Sequence, residues 1–420
     1  MGELRGVLGL AFVLLVAFAV SRDRRGISWR TVGGALALQV VFAFLVLRWR
    51  PGVDALRWVS QRVETLIGYA GEGTTFLFGP LLTVGGKGSS IFALQVLPVI
   101  IFLGALIGLL FYLRVVQWAT YLIGGVIAFV LGVSKVESMY AATVIFLGQS
   151  EAPLMIAPYL RRLRTGQVFT VMTGGFAAAA GSTLVGYSLL GAPLPYLLAA
   201  TVMNAPASLL MAKLMWPDGT ADPDEDVAQE APEGAASEID VRRVRDEESA
   251  NLIDATARGA LAGARIAVTV GALLIAFIAL IALANGILGG VGGWVGLDGL
   301  TFQKLLGWVL SPLAWLLGVP WGEAVQAGSY IGQKTVLNEF VAFAAFGPQV
   351  GSLSSVTVVV VTFALAGFAN FSSIAIQIGT LSSLVPERRA QIARLGLRAL
   401  LAGSLANLAN AAIAGLIASR

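Results

Sequence analysis

The chain has no cysteine and no histidine. Their absence removes thiol nucleophiles, imidazole acid–base chemistry and the usual Cys/His zinc sites. Charge is scarce too. Asp, Glu, Lys and Arg make up 12% of the 420 residues, about half the ~25% of an ordinary soluble domain. The net charge of +4 is too small to argue for nucleic acid, and none is expected as a partner. Apolar residues take the place of charge: 57% of the chain is hydrophobic, with a mean hydropathy of +0.82. Its 50 glycines suit closely packed or broken membrane helices. Recurring long apolar runs point to an all-α polytopic membrane protein.

Spans are expected at 7–20, 31–48, 91–113, 170–190, 194–215, 259–288, 355–380 and 399–418. Val7 to Val20 follows a single Arg and lacks a small-residue cleavage pattern, so it reads as a retained helix. Residues 141–160 and about 325–345 carry Gly, Pro and carboxylates at their centres, which fits re-entrant hairpins. Residues 51–70 mix Trp58, Val63 and Leu66 with Asp54, Arg57, Arg62 and Glu64, the pattern of a helix lying at the interface. Arginine clusters at 22–30, 161–164 and 388–398 (the last placed between the final two helices) orient the chain with both termini outside; Arg48 and Arg50 run against this. The acidic stretch from Pro217 to Ala250 is expected to be a solvated cytoplasmic linker.

Two segments stand out: Gly148-Gln149-Ser150-Glu151 and Gly332-Gln333-Lys334-Thr335-Val336-Leu337-Asn338-Glu339-Phe340. Each sets a glutamate within a long apolar stretch. A carboxylate at the bilayer centre costs about 2.5–3.5 kcal/mol on insertion scales, so it normally faces a partner or a watery cavity. The two segments lie in a weak repeat. Leu131-Gly132-Val133, Glu137, Glu151 and Gly175-Phe176-Ala177 recur as Leu317-Gly318-Val319, Glu323, Glu339 and Gly367-Phe368-Ala369, at an offset of about 190 residues. One extra span between the copies inverts the second, and inverted repeats with broken helices meeting at the midplane are a secondary-transporter architecture. Small and hydroxyl residues at Gly174–Thr183 and Gly367–Ser373 are the expected causes of the breaks.

With these motifs in order, the chain resembles the concentrative nucleoside transporters. Gly332 to Phe343 reads as that family's Gly-x-Lys-(three residues)-Asn-Glu-Phe-Val-Ala-aromatic signature, Gly148 to Glu151 as its hairpin motif, and Gly367 to Ile374 as its Gly-Phe-Ala-Asn-Phe-Ser-Ser-Ile run. The resemblance implies a homotrimer in the inner (plasma) membrane, with a transport domain sliding on a scaffold in an elevator motion. The corresponding division is 1–113 scaffold helices and interfacial helix, 114–216 first repeat, 217–258 linker, 259–288 scaffold span and 289–420 second repeat. It implies import of a nucleoside of the uridine, cytidine or adenosine type, with no organic cofactor. Gln149, Ser150 and Glu151 would contact the base, Glu339, Asn370 and Ser373 the ribose, and Phe368 the pocket wall.

The sequence departs from the family at the cation site. Sodium-coupled members carry Asn five residues before the hairpin Gln, where this chain has Val144. Thr143, Val144, Ala177, Ala178, Ser182 and Thr183 then supply mostly backbone carbonyls, whereas a hard cation needs several oxygens. The coupling cation is H+ or Na+, with Glu151 or Glu339 as the proton carrier in the first case. Other readings stand beside these. Glu151 could pair with Lys334 and hold the hairpins together. Glu137 and Glu323 read as caps or hairpin supports, Asn204 and Asn407 as helix–helix bonds, and Gly85 to Ser90 as a loop. The functional alternatives are a symporter for another polar solute, such as a nucleobase or amino acid, and more remotely an intramembrane enzyme.

Overall fold

A computed structural model describes residues 2–83, 91–220, 241–246, 248–294 and 296–418. The Gly85–Ser90 loop, residues 221–240 of the linker and the Ser182 side chain lie outside what is described. All regular structure among the described residues is helical.

The chain opens with α1 (Gly2–Ala19) and α2 (Trp29–Leu47), the latter capped by the Ser28 hydroxyl, which accepts the Thr31 N–H. The amphipathic helix expected at 51–70 is α3 (Arg50–Phe78), longer by two turns at its C-terminal end. The short α4 (Phe92–Gln95) leads into α5 (Leu97–Tyr112). Next comes α6 (Val115–Leu131), which stops where Gly132 turns left-handed at φ 65°.

The first hairpin is α7 (Lys135–Thr143), a turn and α8 (Ala157–Leu160), so its entering arm starts earlier than the expected 141. The 170–190 span is split into α9 (Thr165–Ala177) and α10 (Gly181–Leu189), and α11 (Leu194–Met215) closes the copy. The same succession follows α12: α13 (Phe302–Leu316), the hairpin α14 (Trp321–Val336) and α15 (Glu339–Phe346), the split pair α16 (Ser355–Leu365) and α17 (Phe371–Leu384), then α18 (Arg389–Ala418). Between α13 and α14 the chain bends by 116°.

Among the described residues, five helices are long and apolar enough to cross a membrane, with α4 and α5 taken together as one. Of the other three expected spans, one is α1 and two are the split pairs.

The span expected at 259–288 lies inside a longer helix, α12 (Leu252–Trp294), 43 residues, about 65 Å at 1.5 Å per residue and twice the hydrocarbon thickness. Two expectations need correction. The linker is not solvated throughout. Val241 is fully buried, Arg242 stacks on Trp118 and Tyr121 of α6, and Gln117 Nε2 donates to the Val244 carbonyl. Arg389, Arg394 and Arg398 belong to α18 itself rather than to a connection before it.

Burial separates an interior from a rim. α18 packs against α1, α9, α11, α16 and α17. Inside the chain, 89% of the spanning window of α11 is buried, against 22% for α12, which leaves α12 facing outward along most of its length. α12 is held to α5 by backbone contact. Gly104 and Gly108 meet Gly259 and Gly263, and a Cβ on any of the four would come within 2.5–2.7 Å of a backbone oxygen. Small residues at this spacing let membrane helices approach closely.

Candidate substrate site

The two broken helices cross, and the crossing explains the breaks. The first falls at Ala178–Ala180, a run of the best helix former, and not at the flanking glycines. Tertiary bonds hold it open: Phe368 N–H donates to the Ala178 carbonyl at 2.9 Å, and Asn407 Nδ2 to the Ala177 carbonyl at 3.0 Å. In return, Asn204 Nδ2 donates to the Ala366 carbonyl of the second break at 2.8 Å. Backbone freed within a membrane is tolerated when neighbours re-satisfy it in this way. Gly367 sits at the crossing, where a Cβ would lie 2.3 Å from Asn407 Oδ1.

Lys334, wholly buried, donates to Asn407 Oδ1 at 2.9 Å. Its partner is therefore the asparagine of α18, not Glu151. Asn204 and Asn407 are helix–helix bonds, as read from the sequence, and Asn410 joins them through Asn204 Oδ1 at 2.8 Å.

Around this crossing the hairpin tips close. Asn338 caps α15 by accepting Val341 N–H, placing Glu339 at the first helical position. Asn370 caps α17 by accepting Ser373 N–H at 2.9 Å. Both helix starts carry the positive end of a dipole. Asn370 Nδ2 donates to Glu339 Oε2 at 2.9 Å, and Tyr187 Oη to Glu339 Oε1 at 3.1 Å. From the other hairpin, Gln149 Nε2 donates to Ser373 Oγ at 3.0 Å.

Gln149, Ser373, Asn370 and Glu339 thus form one hydrogen-bonded line from hairpin to hairpin, all of them buried. Two polar atoms here are buried without a partner among the described residues: Gln149 Oε1 on this line and Nδ2 of Asn338, the cap next to Glu339. An acceptor and a donor left over in a buried polar site are what a polar ligand would complete. Phe368 is 7% exposed and packs in the same region.

Two expected members, next to Gln149 on the hairpin tip, make no bond to the line among the described residues. Glu151 is half-buried and accepts Gly148 N–H at 2.7 Å, and Ser150 is exposed. Tyr187 was missed by the sequence reading. Its signal was the four-residue spacing from Thr183, which sets both on one face of α10.

The residues proposed for a cation lie beside this line. The Thr143 hydroxyl donates to the Met139 carbonyl and the Thr183 hydroxyl to the Ala180 carbonyl, each within its own helix region. The Ala177 and Ala178 carbonyls each already accept one donor. The hairpin supports also take shape. Glu137 pairs with Lys213 of α11 at 2.6 Å, both side chains at most 2% exposed, and Glu323 accepts Ser354 N–H and Oγ–H at the start of α16.

Residues 196–415 and 8–81 match the models for the C- and N-terminal parts of Na+ dependent nucleoside transporters, and 93–194 match the model described as nucleoside recognition. The chain belongs to the concentrative nucleoside transporter family. Its relatives include the uncharacterized transporter YutK of Bacillus subtilis (strain 168), 52% identical over 99% of this chain and 100% of that protein. Nucleoside permease NupC of Helicobacter pylori is 42% identical over 99% of this chain and 97% of that one. Solved structures of CNTnw in an inward-facing substrate-bound state and of a CNTnw variant in an outward-facing state each share 46% identity, with TM-scores of 0.91 over 100% of this chain and 98% of that one. The fold is thus that of an elevator-type transporter. As a family member the chain is a cation-coupled nucleoside transporter of the membrane, not an enzyme.

Proposed function

We propose that this transporter imports nucleosides of the uridine, cytidine or adenosine type across the inner (plasma) membrane as a homotrimer. The observation that carries the reading is the buried line Gln149–Ser373–Asn370–Glu339, which joins the two hairpins through the second helix break. Gln149, Ser150 and Glu151 address the base edge, because amide and carboxylate groups match its donors and acceptors. Glu339, Asn370 and Ser373 take the ribose hydroxyls, and Phe368 offers an aromatic surface to the sugar and base.

The moving unit is the two hairpins with α9–α11 and α16–α18. The frame is residues 1–113 with α12, whose outward side chains, such as Val268, Ile275 and Leu283, suit lipid or a neighbouring copy. CNTnw solved in inward-facing, intermediate and outward-facing states supports the same motion here.

The coupling ion in this reading is the proton, carried by Glu151 or Glu339. Valine at 144 has no side-chain oxygen, the threonine hydroxyls donate within their own helices, and two break carbonyls already accept protein donors. Uridine uptake into proteoliposomes, with sodium and pH gradients varied separately, tests this. Accumulation should follow an inward proton gradient; dependence on sodium alone would refute proton coupling, and uptake indifferent to both gradients would refute symport.

A further inference from the structure

We propose that Tyr187 is a positioning residue for nucleoside recognition, its phenol holding the Glu339 carboxylate in the orientation that receives the ribose hydroxyls. The inference rests on the reading of Glu339 as a ribose ligand. Tyr187 lies in the second turn of α10 and is wholly buried. Its ring stacks on Phe343 with centroids 4.5 Å apart and planes 20° from parallel, and meets Phe340 at 4.8 Å and 63°. Both phenylalanines stand on α15, within one turn or so of Glu339. The hairpin that presents the carboxylate therefore also clamps the tyrosine ring.

The hydroxyl is the part of this side chain that packing leaves unexplained. It points at Glu339 Oε1 and donates at 3.1 Å, while Asn370 Nδ2 holds Oε2 at 2.9 Å. The last torsion of a glutamate is broad, so a lone carboxylate turns freely. One donor on each oxygen removes that freedom. Each oxygen retains a lone-pair direction for a ligand hydroxyl. Tyr187 comes from the first repeat and Asn370 from the second, so the carboxylate is aligned only when the two copies are docked.

The test compares purified wild type, Tyr187→Phe and Glu339→Gln. Equilibrium binding gives Kd for uridine and 3′-deoxyuridine, proteoliposome uptake gives KM and maximal rate, and thermal unfolding gives Tm. A hydrogen bond to a charged group is worth about tenfold in affinity. Tyr187→Phe, which keeps the ring stack, should raise Kd and KM for uridine about tenfold. The preference for uridine over 3′-deoxyuridine should shrink by a similar factor, with the maximal rate within about twofold and Tm lower by only about 2–6 °C, as one buried oxygen left without a donor implies. Unaltered KM and preference would overturn the proposal. A lowered Tm with unaltered KM, or loss of the folded protein, would overturn it too, because the hydroxyl would then serve packing alone. The control separates the two readings. If Glu339→Gln loses the preference while Tyr187→Phe keeps it, only the tyrosine inference fails. If Glu339→Gln keeps the preference, the ribose reading of Glu339 fails and takes the inference with it.

Discussion

Asn407 is the residue on which both helix breaks converge, and replacing it tests whether tertiary bonds hold them open. In the wild type its amide donates to the Ala177 carbonyl of the first break, more distantly (3.4 Å) to the Ala366 carbonyl of the second, and to Asn204 Oδ1, and its oxygen receives Lys334 Nζ. Asn407→Leu keeps the branched shape, somewhat enlarged, and strips all four; the Ala366 carbonyl keeps Asn204 Nδ2 as a donor. Asn204 Oδ1 retains Asn410 as a donor, so it is not orphaned. Two groups are: the Ala177 carbonyl and the buried Lys334 ammonium. A buried group stripped of its partner costs about 1–3 kcal/mol, and more when charged, so the pair should cost about 3–5 kcal/mol. At roughly 2 °C per kcal/mol, the low end for large chains, the unfolding midpoint of the solubilised protein should fall by about 6–10 °C.

Asn407→Asp separates the parts of this argument. It keeps an acceptor for Lys334 but turns an oxygen toward the Ala177 carbonyl, so the break should still be disturbed and uptake lost even where stability partly recovers. If Asn407→Leu unfolded within about 2 °C of wild type and carried uridine normally, the account of the breaks would be wrong.

Glu339→Gln should abolish uridine uptake while leaving a folded protein; retained uptake in the proteoliposome assay would contradict a ribose role. Nucleobases lacking ribose should compete poorly with uridine, and equal competition would sink the same assignment. Lys213→Met should cost about 3–5 kcal/mol, because it leaves the buried Glu137 unpaired. Adding Glu137→Gln should recover part of that loss, and a double variant no more stable than the single would show that the pair is not what matters. Gly259→Leu should separate α5 from α12, since its Cβ would sit 2.5 Å from the Gly104 carbonyl; a cysteine cross-link designed across that contact should form in wild type and fail in the variant.

Much of the fold was legible because a membrane makes hydropathy decisive. The apolar run at 194–215 coincides with α11, and the run at 31–48 matches α2 to within two residues. The buried carboxylates advertised a site because an unpaired charge in hydrocarbon is costly, and Glu339 does sit in the buried line between hairpins. The ends of the scaffold span were less legible. Residues 252–258 carry Asp254 and Arg258, with Arg258 paired to Glu248, and read as linker although they are helical. A charged first turn in water looks the same in sequence whether or not it continues a span.

Composition, hydropathy and motif order were enough to read that this chain folds in a bilayer, without thiol or imidazole chemistry, around two carboxylate-bearing hairpins in a repeated frame. They determined no partner for any polar side chain. Only the tertiary structure decided that three alanines would be the break, that Lys334 would answer to Asn407 rather than Glu151, and that Tyr187 would reach Glu339 across 152 residues of sequence. The reason is physical. Burial in hydrocarbon is a property of each segment by itself, whereas a freed carbonyl or a buried ammonium is satisfied only by whichever donor or acceptor another segment happens to bring within about 3 Å.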